Sequence, residues 1–309
     1  MNTGTPAEAP RWLGRSDALQ PFVVTICATG EFSDLLTRFD AELGDLQIRE
    51  HRPLAENACD VVIDCNPVEA WSLLQSLRAK LVGADVYMQP QDARGKRLLI
   101  CDMDMTIVAA ETLDEVAAML GMGEQIAAIT TRAMHGEVDF NDALRERIAM
   151  LAGQPEQVFH DAVEQLRLNQ GAEQLLGAAR AAGVHTILIS GGFAQIAEPV
   201  ARRLGFDEVH CNHLQVDAGK LTGKVHEPIV NADFKCRLLQ QRAQALELTL
   251  SDCCAIGDGA NDLPMLRAAG LGIAYHAKPV LHAATSCHID VTDLESAIYF
   301  MGLDRAGDL

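Results

Sequence analysis

Hydrophobic and polar positions follow two different rhythms along this chain, and the change of rhythm divides it. Between Phe22 and about Pro90, the β-branched runs "FVVTICA" and "CDVVIDC" read as strands. Leu35, Phe39 and Leu43, then Trp71, Leu74 and Leu77, recur at helical spacing. The predicted order of strand, helix, two strands, helix, strand describes an α+β ferredoxin-like sandwich over 21–90, behind a tail over 1–20. "QPQDARGK", polar and carrying Pro and Gly, predicts a linker. Beyond it, over 91–309, the apolar runs "LLICD", "VHTILIS", "CCAIGDG" and "LGIAY" mostly alternate with helical patterns. Near-continuous apolar strands of this kind belong to an α/β, Rossmann-like parallel sheet covered on both faces.

Two stretches break the alternation. The helical pattern over about 112–176 is far longer than one crossover requires and predicts a helical insertion, opened by a capping box at Thr112 and Glu115. "HLQVDAGKLTGKV" predicts a β-hairpin turning at "DAGK". Pro199 falls inside a helical pattern, which predicts a kink or a delayed helix start.

Composition narrows the function classes. An apolar fraction of 49% over 309 residues supports sizeable cores, and no apolar run reaches the length of a membrane span. The first twenty residues lack the apolar core of a secretory signal, so a cytoplasmic address is expected. Nine scattered cysteines without a C-x-x-C pair fit a reducing compartment. A net charge of -18 argues against nucleic-acid and anionic-membrane partners, but leaves room for a small anionic substrate in a site dominated by a metal and one or two cations. "HCNH" invites a zinc reading, yet it lacks the second ligand pair such sites require.

In an open α/β sheet, ligands bind outside the carboxyl ends of the strands. The predicted strand ends carry Asp102 with Asp104, then Ser190-Gly191-Gly192, then Gly257-Asp258-Gly259 with Asn261 and Asp262. Clustered carboxylates are natural ligands of Mg2+, and a serine followed by glycines offers a hydroxyl and free N–H groups to an anion. Asp102 and Asp104 are spaced for one to attack phosphorus and the other to handle the leaving-group proton. Phosphoryl transfer through an aspartyl-phosphate is the chemistry this set predicts. Asp262 has a plainer reading as the cap of a helix starting near Leu263, and isolated charges such as Glu111 and Arg147 are ordinarily solvated helix residues.

"DMDMT", "ILISGG" and "GDGAND" resemble the three signature motifs of the haloacid dehalogenase superfamily. From about Lys96 onward the chain resembles the phosphoserine phosphatase family within it, through "DMDMTIVAAET", "RAMHGEVDFNDALRERIAML", "SGGF", "DAGKLTGKV" and "GDGANDLPML". The resemblance implies Asp102 as nucleophile and Mg2+ ligand, with Asp104 as general acid and base that also lends the metal its carbonyl. It implies Asp258 as the third ligand, with Asn261 and Asp262 orienting the site. Ser190, the Gly191 amide and Lys235 would hold the phosphate, and Thr106 would fix the turn. Glu111 would face the substrate ammonium and Arg147 its carboxylate, with Met134 and Phe140 as an apolar wall on the insertion, which would be a cap.

The implied substrate is O-phospho-L-serine, hydrolysed in the last step of serine biosynthesis. Phosphoryl transfer from phosphoserine to homoserine and a non-catalytic amino-acid sensor are the competing readings. The N-terminal sandwich resembles an ACT-type domain, a fold used to bind amino acids or to dimerise, so a homodimer is a compatible assembly. Met105 departs from the family, which usually carries serine there.

Overall fold

The computed structural model describes residues 9–14, 18–30, 32–44, 46–135 and 137–304, the side chains of Met134 and Val280 excepted. The N-terminal unit is built in the predicted order: β1 (Gln20–Ala28), α1 (Phe32–Leu43), β2 (Ile48–Ala55), β3 (Ala58–Cys65), α2 (Pro67–Lys80) and β4 (Ala84–Pro90). Its sheet is antiparallel, in the order β2-β3-β1-β4. Alternate residues of β1 separate the faces: Phe22, Val24 and Ile26 pack under Phe39, Leu74 and Leu77 of the two helices, as period-two side-chain direction requires. Asn66 caps α2 through a capping box with Glu69. Part of the expected tail is ordered structure, because Arg11–Gly14 forms a turn of 3-10 helix that seats Trp12 edge-on against Phe22 at 4.9 Å. Residues 1–8 and 15–17 of that tail lie outside the described residues.

The second unit opens with β5 (Leu98–Asp102), the strand "LLICD". Four helices follow, α3 (Thr112–Met119), α4 (Gly123–Met134), α5 (Phe140–Met150) and α6 (Gln157–Gln165), and then α7 (Ala172–Ala181). The remainder is β6 (His185–Phe193), α8 (Ala194–Leu204), β7 (Glu208–Asn212), β8 (Leu214–Asp217), β9 (Lys220–Val225), α9 (Ala232–Ala245), β10 (Cys253–Gly257), α10 (Leu263–Ala268), β11 (Leu271–Tyr275), α11 (Pro279–His282), β12 (Cys287–Ile289) and α12 (Glu295–Met301). Six parallel strands run in the order β12-β11-β10-β5-β6-β7. The central strand β5 is buried along its whole length, which is why it reads as an uninterrupted apolar run.

Several expectations change. The insertion's own helices end with α6, since α7 packs on β6 and α12 in the body of the sheet unit. No capping box opens α3: Thr112 is buried at its first position, and its N–H goes to the Asp104 carboxylate instead. Helix α8 starts directly after Phe193 and runs through Pro199 without delay. The hairpin β8–β9 forms with Ala218 and Gly219 both at positive φ, the geometry of a tight two-residue turn. It braces the insertion through Glu156 N–H to Gly219 O and reciprocal bonds with Gly153 and Gln154.

The predicted linker is a clasp. Gln89 is buried and donates to Phe300 O, Arg94 reaches Asp60 and Tyr299 O, and the buried Lys96 ammonium donates to Ala93 O and Ser251 O. Asp85 accepts from the backbone N–H groups of Asp290, Val291 and Thr292 and from the Thr292 hydroxyl. One apolar core runs across the junction, joining Cys27, Ala58 and Tyr87 to Cys287, Tyr299 and Phe300.

Candidate active site

The carboxyl ends of β5, β6 and β10 converge on a cavity of about 340 Å³ beneath α3 and α5. Asp102, at the last position of β5, is almost completely buried, and its Oδ1 accepts from Lys235 Nζ at 2.6 Å. Lys235, on α9, is fully buried and also donates to Asp262 Oδ1 at 2.7 Å. Asp262 therefore does not cap α10; its second oxygen accepts from Gly259 N–H at 3.1 Å. Gly257 is obligatory here, since a Cβ would stand 2.6 Å from the Asp262 carboxylate oxygen.

Asp104 sits two residues further on, half-buried, between two donors. Thr112 N–H reaches its Oδ1 at 2.8 Å and the Ser190 hydroxyl its Oδ2 at 3.1 Å. A carboxylate at the start of α3 satisfies a free helix N–H and meets the positive end of the helix dipole. Ser190 is fully buried, and Gly192 N–H donates to its Oγ at 2.8 Å. A Cβ on Gly192 would come within 3.1 Å of Asp104 Oδ2, so the backbone approach depends on glycine. Thr106 is buried with its hydroxyl 3.3 Å from Asp258 Oδ1, tying the turn after β5 to the end of β10.

The electrostatics expose a deficit. Asp102, Asp258 and Asp262 offer ligand atoms all within 4.8 Å of one another, and Lys235 is the cation bonded among them. Burial, with Asp262 adding to it, pushes the Asp102 carboxyl well up against the opposing pull of Lys235. Burial and the same neighbour bring Asp258 up to about 6. Burial works against the Lys235 ammonium, but the two carboxylates outweigh it and hold the group charged. Three buried acids on one ammonium are short of positive charge, and a hard cation with oxygen ligands supplies it. The donor set thus fits a divalent metal, with Asp262 grouped beside Asp102 and Asp258, while the Asp104 carboxylate turns to Ser190 and α3.

On the cavity's other side, Glu111, Phe140 and Arg147 line the wall formed by α3 and α5. Burial and Asp104 push the Glu111 carboxyl up, and burial pulls the Arg147 guanidinium down. Arg147 Nε reaches the Ala143 carbonyl at 3.4 Å, and no ion pair to it occurs among the described residues. Asn261 and Gly191 also face the cavity. Met134 ends α4, with its side chain outside the described residues.

Three contributors carry no motif in the sequence. Lys278 lines the cavity with its ammonium 3.9 Å from Glu111, and its N–H donates to Asp258 O. Asn169 donates to the Met105, Thr106 and Val108 carbonyls, fastening the turn after β5. Asn212, the buried amide inside "HCNH", donates to Gly191 O and accepts from Val230 N–H. A lone polar residue that serves only backbone groups leaves no pattern along the chain to find it by.

A parallel sheet whose central strand ends in Asp-x-Asp, with a serine and a second acid on the flanking strand ends, defines a haloacid dehalogenase-like hydrolase. The family model of that description matches residues 99–267. A phosphoserine phosphatase from Lactococcus lactis is 45% identical over 213 residues, spanning 69% of this chain and 98% of that protein. Among solved structures, a hydrolase of the same family from Salmonella enterica serovar Typhi has a TM-score of 0.82 at 30% identity, covering 94% of this chain and 99% of its own. A phosphoserine phosphatase solved as a phospho-aspartyl intermediate analogue has a TM-score of 0.63 at 34% identity, covering 67% and 100%. The chain belongs to the phosphoserine phosphatase family of haloacid dehalogenase-like hydrolases.

Proposed function

We propose that the protein hydrolyses O-phospho-L-serine to L-serine and phosphate through a phosphorylated Asp102. One observation carries the reading: a buried carboxylate held by Lys235 shares a single cavity with Arg147 and Glu111, a cation and an acid that match the two charges of an amino acid. Asp102 Oδ attacks phosphorus, the bond from phosphorus to the seryl oxygen breaks, and Asp104 gives that oxygen a proton. Water then attacks phosphorus, Asp104 takes its proton, and the bond to Asp102 breaks to release phosphate and restore the carboxylate. Ser190, the Gly191 N–H and Lys235 hold the phosphoryl oxygens, with Asn261 and Asp262 orienting the site.

Mg2+ held by the Asp102 and Asp258 carboxylates and the Asp104 carbonyl would neutralise phosphoryl charge when bound. The arrangement of α3 and α5 over the cavity supports a cap that excludes bulk water from the phosphorylated intermediate. We also assign a cytoplasmic address, which nine free thiols support.

The test is phosphate release with Mg2+ from phosphoserine, phosphothreonine and a small aryl phosphate, each with and without homoserine. Phosphoserine should have the highest kcat/KM, with phosphate and not phosphohomoserine as the product. Arg147→Ala should raise KM for phosphoserine at least ~10-fold while barely changing the aryl phosphate. Equal kcat/KM for all three substrates would overturn the assignment.

A further inference from the structure

Away from the cavity, a second set of metal-ligating side chains stands where the two units meet. His282 ends α11, His288 lies in β12, and Asp290 follows it directly. Their ligand atoms all lie within 4.8 Å of one another. His282 Nε2 is 2.9 Å from Asp290 Oδ1, and the two imidazole rings are 4.4 Å apart between centroids at 53°. We propose that His282, His288 and Asp290 form a binding site for a divalent transition ion of the zinc class, distinct from the carboxylate site used by the hydrolase.

Two features point to an ion rather than to ordinary packing. First, His288 Nε2 lies 2.9 Å from the Thr285 carbonyl. A carbonyl can only accept, so Nε2 carries the proton and Nδ1 keeps its lone pair. Ligating histidines are oriented in this way, by donating their other nitrogen to a carbonyl or carboxylate. Second, the spacing suits the ion. Ligands about 2.0–2.2 Å from zinc at tetrahedral angles stand ~3.3 Å apart, between the 2.9 Å of His282 and Asp290 and the 4.8 Å within which all three ligand atoms lie. Two imidazoles with one carboxylate select zinc, cobalt or nickel over magnesium, which prefers oxygen. The fourth position is left to water.

The surroundings fix the ligands from both units. Asp290 N–H donates to Asp85 at 2.9 Å, and Arg78 from α2 donates to Ser286 O at 2.6 Å. The guanidinium donates Nε–H to the Val86 carbonyl and Nη2–H to the Ser286 carbonyl, and the carboxylates of Asp85 and Asp290 offset its charge. An ion here would pin α11 to β12 at the junction, four residues along the chain from Lys278 of the hydrolase cavity.

Cobalt is the probe, because four-coordinate Co2+ with nitrogen ligands absorbs visible light strongly and six-coordinate Co2+ on oxygen ligands does so weakly. The full-length protein, stripped of metal, is titrated with Co2+, and bound zinc is counted separately. Wild type and Asp258→Asn should both develop the intense absorption with one equivalent of ion, and His282→Ala and His288→Ala should lose it. Both histidine variants should bind one zinc fewer than wild type and keep their phosphatase turnover with Mg2+. His282, at the surface, is the variant least able to disturb folding. Absence of the intense absorption in wild type, or its survival in His282→Ala, would overturn the proposal. Neither outcome depends on which phosphomonoester the hydrolase takes.

Discussion

Lys235 holds two buried carboxylates with one ammonium, which makes it the single residue whose loss should cost most. Lys235→Met would leave Asp102 and Asp262 buried and uncompensated, a change that typically costs ~3–5 kcal/mol. Thermal denaturation should show that loss, with turnover down at least ~100-fold. Asp258 makes a pH prediction. Its folded value of about 6 lies above the ordinary 3.8. The native carboxyl therefore keeps a proton between about pH 4 and 6 that the unfolded chain has released, and its contribution to stability falls as pH rises through that window. In metal-free protein at pH 7.5, Asp258→Asn should be more stable than wild type by on the order of 3 kcal/mol at most. The gap should narrow toward pH 5, and Mg2+ should raise the melting temperature of wild type more than that of the variant. Met105, the departure from the family, stands at φ 56 with an exposed side chain. Its backbone conformation is what the turn demands, so Met105→Gly should be neutral to ~1 kcal/mol stabilising by denaturant titration.

At the scale of elements, the site is made by strand ends and by helix starts aimed at them. Asp104 shows how the two interlock, since the same carboxylate accepts from Ser190 on β6 and caps α3 through Thr112 N–H. Thr112→Pro isolates the second contact: proline suits the first helical position, and Glu111 before it is already extended. Far-UV circular dichroism should be unchanged while kcat falls ~10-fold, because one donor fixing the acid is gone. The long apolar strands β5, β6, β10 and β11 are legible in the sequence because each is buried on both faces. Strand β12 is missing from that reading, since the three residues "CHI" carry no periodic signal. The capping-box motif misleads for a related reason: local pattern identifies a helix start, but the donor goes to a carboxylate eight residues back in the chain.

For the whole molecule, the composition of the segment between the two units misjudges how they are joined. "QPQDARGK" has the composition of a loose linker, yet Gln89, Arg94 and Lys96 spend their polar groups on carbonyls and a carboxylate across the junction. Composition cannot distinguish solvated polar groups from those paired in the fold. The carboxylates and the serine around the cavity are legible because they cluster at strand ends in recognisable motifs, whereas Lys278, Asn169 and Asn212 contribute from single positions. Asp85 is the strongest single tie between the units, with four donors on one buried carboxylate. Asp85→Ala should strand the backbone N–H groups of 290–292 and lower stability by ~2–4 kcal/mol in denaturant unfolding. Its kcat with Mg2+ should stay within about threefold of wild type, because the strand ends of the site are held by β5, β6 and β10.

Phosphoryl labelling tests whether Asp102 is the nucleophile of a phosphoserine hydrolase. Rapid acid quenching of wild type mixed with phosphate-labelled phosphoserine and Mg2+ should trap label on the protein, at an aspartyl ester on Asp102. Asp102→Asn should trap none and release phosphate at least ~1,000-fold more slowly. Phosphate release by Asp102→Asn at the wild-type rate would contradict the account.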